Sequence, residues 1–129
     1  MSRTNHNFRK LKVWEEAIDL VVEIYKEAAK YPKEEKYGII SQIQRAGVSI
    51  PSNIAEGSAR GTNPDFIRFL YISKGSVAEV ITLLSVAAKL EITNQESVDV
   101  IIEKLIRIDN AIFKLIKLNK KKNILKRSF

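Results

Sequence analysis

Ser41–Arg60 reads SQIQRAGVSIPSNIAEGSAR, and its pattern decides the fold. Set on a helical wheel at about 100° per residue, Ile39, Ile43, Ala46, Ile50, Ile54 and Gly57 share one face. Gln42, Arg45, Ser49, Asn53, Glu56 and Arg60 form a narrow polar strip beside it. The remaining face carries Val48, Pro51, Ala55 and Ala59, which are not the charged residues of a solvent face. A helix that is apolar or small on two sides expects burial on both. In a chain of 129 residues that calls for neighbours from the same bundle and from another subunit.

Pro51 stands in the middle of this helix, where it removes one backbone hydrogen bond and crowds the preceding turn. The helix either breaks there or continues with a kink. Both wheel patterns hold phase from Ile39 to Arg60, which favours the kink. Ser49, Ser52 and Asn53 are placed to bond the carbonyls that the proline frees. Gly47 and Gly57 weaken helix propensity, and close approach of another helix would compensate.

The other helices follow outward from this one. The first is expected from Lys10–Val13 to about Lys30, with Trp14, Ala17, Ile18, Val21, Ile24, Tyr25 and Ala28 inward and Glu15, Glu16, Asp19, Glu23 and Glu27 outward. Pro32 closes it. The second starts near Glu34–Tyr37. Gly61-Thr62-Asn63-Pro64-Asp65 ends the second and opens the third, with Thr62 or Asn63 as cap and Pro64 in the first turn. The third reaches about Leu90 with two apolar stripes, one through Phe66, Leu70 and Val77, the other through Phe69, Ile72 and Leu83. Thr93-Asn94-Gln95-Glu96 reads as a capping box for the fourth. Its core face, Val98, Ile101, Ile102, Leu105, Ile108, Ile112, Leu115 and Ile116, ends near Leu118, and a tail follows. The fold class is therefore all-α: one domain over 1–129, an antiparallel up-down-up-down four-helix bundle with basic extensions at 1–12 and 117–129.

Composition narrows the chemistry. Hydrophobic content of 45% and charged content of 29% are ordinary for a globular protein. There is no cysteine, which removes disulfides and thiolate metal sites and fits a cytoplasmic location. The first twelve residues have no apolar core of a signal peptide, and no uninterrupted apolar run is long enough to span a membrane. The single histidine, His6, falls in a stretch expected to be loosely held (residues 1–9), so a catalytic role is not expected of it. No H-E-x-x-H pair or phosphate-cradling glycine loop occurs, and no metal or cofactor is expected. Arg45 and Glu56 are separated by about 16 Å along a helix, so the polar strip is not a compact catalytic cluster. It reads as a line of structural hydrogen bonds between helices or subunits.

Charge is the informative signal. The formal net charge is +7, and it is segregated. Arg3, Arg9, Lys10 and Lys12 at one end and Lys117, Lys120, Lys121, Lys122, Lys126 and Arg127 at the other supply ten of the 22 basic residues without an acid among them. The intervening body is net negative. In an up-down-up-down bundle the two ends meet at one pole. A segregated basic rim points to nucleic acid, to an acidic protein or to an anionic membrane. The membrane is the weakest of these, because Ile124, Leu125 and Phe129 are the tail's only apolar anchors. Trp14, Phe66, Phe69 and Phe113 fall on core stripes and suit packing better than base stacking, while Tyr37 and Tyr71 are unassigned. Binding would then rest on phosphate contacts with little base readout.

The central stretch resembles the four-helix-bundle proteins associated with intervening sequences in bacterial 23S ribosomal RNA genes. The likeness lies in Ser41-Gln42-Ile43, Arg45-Ala46, Val48 to Gly57 and Arg60, with support at Val13-Trp14, Tyr37-Gly38, Phe66-Ile67, Phe69-Leu70 and Gly75-Ser76. The sequence departs at Gln44, where that family often has arginine, and at Gly47, where alanine is usual. The resemblance implies a homopentamer similar in fold to the accessory protein of diversity-generating retroelements. It leaves activity open. The expectation is a non-enzymatic homo-oligomer that binds RNA or DNA through its basic rim. The alternative is an assembly scaffold whose tail meets an acidic partner such as an RNA-processing or reverse-transcribing enzyme.

Overall fold

The structure, a computed structural model, describes residues 7–128, with side chains through Asn123. Four helices carry it: α1 (Lys12–Ala28), α2 (Ser41–Ala59), α3 (Asn63–Lys89) and α4 (Gln95–Ser128). Among the described residues there is no strand. The helices share one core, in which Leu20, Ile24, Ile43, Ile50, Ile54, Leu70, Leu84, Leu105, Ile112 and Ile116 are almost fully buried. Each helix packs on two others: α1 on α2 and α4, α3 on α2 and α4.

The start of the chain is more ordered than its composition suggests. Asn7–Lys10 forms a 3₁₀ turn, and the Phe8 ring meets Trp14 edge-on at 5.3 Å. Residues 1–6, including Arg3 and His6, lie outside the described residues.

The inward face of α1 is rotated from the expected one. Val13, Ala17, Leu20, Ile24, Glu27 and Ala28 are buried, whereas Ile18 and Tyr25 are exposed. Trp14, Ile18, Val21 and Tyr25 make a second apolar stripe at helical spacing. A wheel cannot rank two such stripes without knowing the neighbouring helices.

The entry to α2 also differs. A 3₁₀ turn (Lys33–Glu35) and a π-turn (Lys36–Ile40) precede it, and Gly38 leaves helical geometry at φ −112°, ψ −111°. α2 itself continues without interruption through Pro51. The side chains near the proline add donors to carbonyls: Asn53 Nδ2 to Ser49 O and buried Ser73 Oγ to Ile50 O, each at 2.8 Å.

At Gly57 α2 and α3 approach closely. A Cβ there would lie 2.6 Å from Phe69 Cβ. Gly47 is different: an added Cβ would meet Ile24 at an ordinary 3.5 Å, so contact with α1 does not require glycine. Gly61 adopts φ +89° just past α2, the left-handed turn that stops helices.

Thr62 is the cap of α3, accepting from Asp65 N at 3.3 Å. At the other end Glu91 takes the left-handed position (φ 61°) that glycine usually fills. Ile92 N then bonds Ala87 O, and Glu91 N bonds Ala88 O, both at 3.0 Å. The capping box expected at Thr93–Glu96 is not formed. Asn94 Oδ1 caps α4 by accepting from Ser97 N at 2.7 Å, because the Thr93 hydroxyl is drawn to Glu27 instead.

Two further expectations are revised. α3 is long and apolar enough to cross a membrane by length and composition. It holds no long uninterrupted apolar run, because Ser73, Lys74, Gly75, Ser76 and Glu79 break the sequence. Its apolar residues Leu70, Val77, Val80 and Leu84 are buried in the shared core, as a central helix of a bundle requires. α4 does not stop near Leu118 but runs to Ser128. The basic tail is helix. At 1.5 Å per residue α4 is about 51 Å long against about 40 Å for α3.

Candidate nucleic-acid interface

The contacts between helices place the basic segments. Along α1 and α4, Glu27 meets Thr93 and Ser97, Glu23 meets Lys104, and Lys12 and Val13 share a cleft with Lys114 and Leu118. Along α3 and α4, Lys74 bonds Asp109 and Tyr71 accepts from Lys120. The start of α1, the start of α3 and the far part of α4 therefore lie at one pole.

At that pole Arg9, Lys10 and Lys12 are exposed on the 3₁₀ turn and the start of α1. Lys117, Lys120, Lys121 and Lys122 are exposed on α4. None of these seven lies within ion-pairing distance of a carboxylate among the described residues. The side chains of Lys126 and Arg127, like all of Arg3, are outside the described residues, although the α4 backbone passes through 126 and 127. The rim also includes Lys114, which sequence reasoning missed. It lies on the solvent side of α4, three residues before Lys117, and the signal was that i, i+3 spacing.

Two aromatic rings belong to the same region. Phe113, expected in the core, is 45% exposed, and Tyr71 is 44% exposed. Lys74 Nζ and Lys117 Nζ stand 5.4 and 5.5 Å from the Phe113 centroid. Lys120 Nζ is 5.3 Å from the Tyr71 centroid and donates to its hydroxyl at 2.9 Å. Tyr37 is almost fully exposed, with Lys36 beside its ring.

The polar strip of α2 divides into parts. In the middle, Ser49 Oγ and Ser76 Oγ bridge α2 and α3 at 2.8 Å, and Asn53 Nδ2 donates to Ser49 Oγ at 2.8 Å. Toward the ends the groups are exposed and close locally: Arg45 on Ser41 at 3.2 Å, and Arg60 on Glu56 at 2.9 Å. Gln42 is exposed. Arg60 and Arg68 both lie against the Phe69 ring, at 4.9 and 4.5 Å.

The most constrained ionisable group lies away from this pole. Glu27 is only 3% exposed. It accepts from Tyr31 at 2.8 Å, from Thr93 at 2.7 Å and from Ser97, with Lys30 at 3.6 Å. Burial alone would raise its pKa. The three hydroxyl donors and the Lys30 ammonium outweigh that and hold the carboxyl below its ordinary value. Burial and the Glu27 carboxylate push the Tyr31 phenol up. This is a fastening between α1 and the start of α4. No cluster of His, Asp and Glu fit to hold a metal occurs among the described residues.

The fold and this pole define an all-helical protein with a cationic helical end. The chain belongs to the 23S rRNA-intervening sequence protein family, whose sequence model matches residues 9–114. A crystal structure of a protein with unknown function from the S23 ribosomal protein family of Bacteroides thetaiotaomicron is similar to it, with a TM-score of 0.73 and 25% sequence identity. That match covers 81% of this chain and 98% of the other. No curated protein matches the chain. Lys117 to Arg127 lie beyond the residues that the family model matches.

Proposed function

We propose that this protein is a non-enzymatic homo-oligomer that binds RNA or DNA electrostatically through the basic pole. One observation carries it: exposed cations from both ends of the sequence share a pole, without carboxylate partners among the described residues. Each lysine placed along a phosphate backbone releases condensed counterions, and this supplies affinity without sequence preference.

The reading takes the chain as a single domain, an up-down-up-down bundle with α2 bent at Pro51. The order of contacts along each helix pair supports the topology, and the missing proline N–H supports the bend. Assembly is supported by apolar surface that one copy leaves open. The groove between α1 and α2 is lined by Trp14, Ile18, Val21, Val22, Val48 and Ala55. Within it Val22 is 50% and Val48 41% exposed. Gly75, in the middle of α3, has nothing within 4 Å of an added Cβ. It weakens the helix with no compensating contact inside the subunit. A pentamer, as the resemblance implies, would present five basic poles and add avidity.

Filter binding of RNA and DNA across a salt series tests the proposal. Retention at low salt that falls as salt rises is expected. It should weaken sharply, with the remaining cations of the pole still giving some retention at low salt, when Lys120, Lys121, Lys122, Lys126 and Arg127 are neutralised together to glutamine. No retention at about 50 mM salt would overturn nucleic-acid binding and favour an acidic protein as the partner of the pole.

A further inference from the structure

We propose that Tyr71 and Phe113 form a stacking platform for unpaired bases, so that the basic pole takes single-stranded RNA or DNA in preference to duplex. This rests on the nucleic-acid reading above and adds a substrate class to it. The two rings stand on neighbouring helices on the side where α3 meets α4, tied together by the Lys120–Tyr71 and Lys74–Asp109 bonds. Both are about half exposed, so each ring leaves open to solvent apolar area whose burial would be favourable. Neither ring is used by the core.

The cations around them supply the second half of the argument. Phe113, Lys117 and Lys120 follow i, i+4, i+7 on α4, and Tyr71 and Lys74 follow i, i+3 on α3, which sets rings and ammonium groups in one strip. Asp109 is the carboxylate paired with this strip, on Lys74 at 2.8 Å. Lys117 and Lys120 have no carboxylate partner among the described residues, so the strip is net positive. A base laid on a ring displaces the flexible lysine stem from the ring face, and the ammonium then meets the adjoining phosphate. Every base has a π-face, so the platform is tolerant of sequence. In a duplex those faces are stacked on neighbouring pairs and closed to the protein. An acidic peptide would use the lysines but would leave both rings bare.

Fluorescence anisotropy with the full chain separates these possibilities. The probes are a labelled oligothymidylate, an abasic oligonucleotide of equal length and a duplex of equal length. Expected is at least about tenfold tighter binding of oligothymidylate than of the abasic strand, since each base–aromatic stack contributes roughly five- to hundredfold. The Tyr71→Ala/Phe113→Ala variant should bring that ratio close to one while leaving the salt dependence unchanged. Tyr71→Phe should keep the ratio. The wild-type ratio needs no variant and so stands whether or not the substitutions fold. Equal affinity for thymidylate and abasic strands, or tighter binding of duplex, overturns the platform and leaves phosphate binding intact. Absence of binding to all three probes at low salt overturns the nucleic-acid reading itself.

Discussion

At the scale of single residues, Glu27 and the glycines show how differently one sequence signal can resolve. Glu27 reads as a solvent-facing acid among Glu15, Glu16, Asp19 and Glu23. It is buried because its partners Thr93 and Ser97 come from residues 66 and 70 positions away. No local pattern carries that information. Glu27→Ala leaves the buried Tyr31 hydroxyl without its acceptor and should cost about 2–4 kcal/mol, read from urea denaturation. The pH dependence follows from the direction of each shift. The Glu27 carboxyl is held below its ordinary 4.5, so its stabilisation is complete above that pH and is lost as pH falls through the lower folded value. The Tyr31 phenol is pushed above its ordinary 10.0. From about pH 10 upward the unfolded chain releases that proton while the folded one keeps it, and stability falls. Tyr31→Phe should flatten the alkaline limb of a melting-temperature profile and make the acid limb shallower, because Glu27 loses one of the three hydroxyl donors that hold its carboxyl down. Gly57 and Gly75 form a second contrast. Gly57→Ala drives a Cβ into Phe69 and should destabilise by about 1–3 kcal/mol despite better helix propensity. Gly75→Ala has open space and should stabilise an isolated subunit by up to about 1 kcal/mol. It should weaken assembly if another copy packs there. Melting at several protein concentrations reads both effects.

Elements were legible where periodicity and punctuation agreed. The Gly61–Asp65 turn, the Thr62 cap and the α4 core face from Val98 to Ile116 follow directly from spacing and turn chemistry. The apolar face of α1 did not, because two stripes compete and only the packing of α2 and α4 chooses between them. The end of α4 was misplaced for a different reason. Loss of apolar residues after Leu118 looks like loss of helix, yet lysine and arginine are good helix formers and no glycine or proline stops the chain there. The exit of α3 gives a direct test. Glu91 occupies a left-handed position that costs a residue with a Cβ about 1 kcal/mol relative to glycine. Glu91→Gly should raise stability by about 0.5–1 kcal/mol in thermal or urea unfolding. A loss of stability would mean that the Glu91 side chain contributes more than its backbone strain costs.

At the scale of the whole molecule, the amphipathic pattern of Ser41–Arg60 asks for partners on two sides, and one subunit covers the second only in part, burying Pro51 and half-burying Ala55. Ile43, Ile50 and Ile54 are sealed in the core, while Val48 stays open to solvent beside Ile18 and Val22, and Ala59 is exposed at the far end of α2. Replacing Val48 with glutamate should leave the fold intact and reduce the mass found by light scattering to that of one chain. A monomeric mass for the unaltered protein at micromolar concentration would contradict assembly. Segregated charge was legible in the sequence as two basic ends. Their convergence depends on the order in which the helices pack, and the exposure of Tyr71 and Phe113 beside lysines is visible only in three dimensions. The pole is most directly tested by the slope of log affinity against log salt for a labelled single strand, between about 50 and about 200 mM. A straight line with a negative slope is expected, made shallower by about 3 to 4 when Lys120, Lys121, Lys122, Lys126 and Arg127 are neutralised together. A slope that stays the same after those five charges are gone would contradict binding through the basic pole.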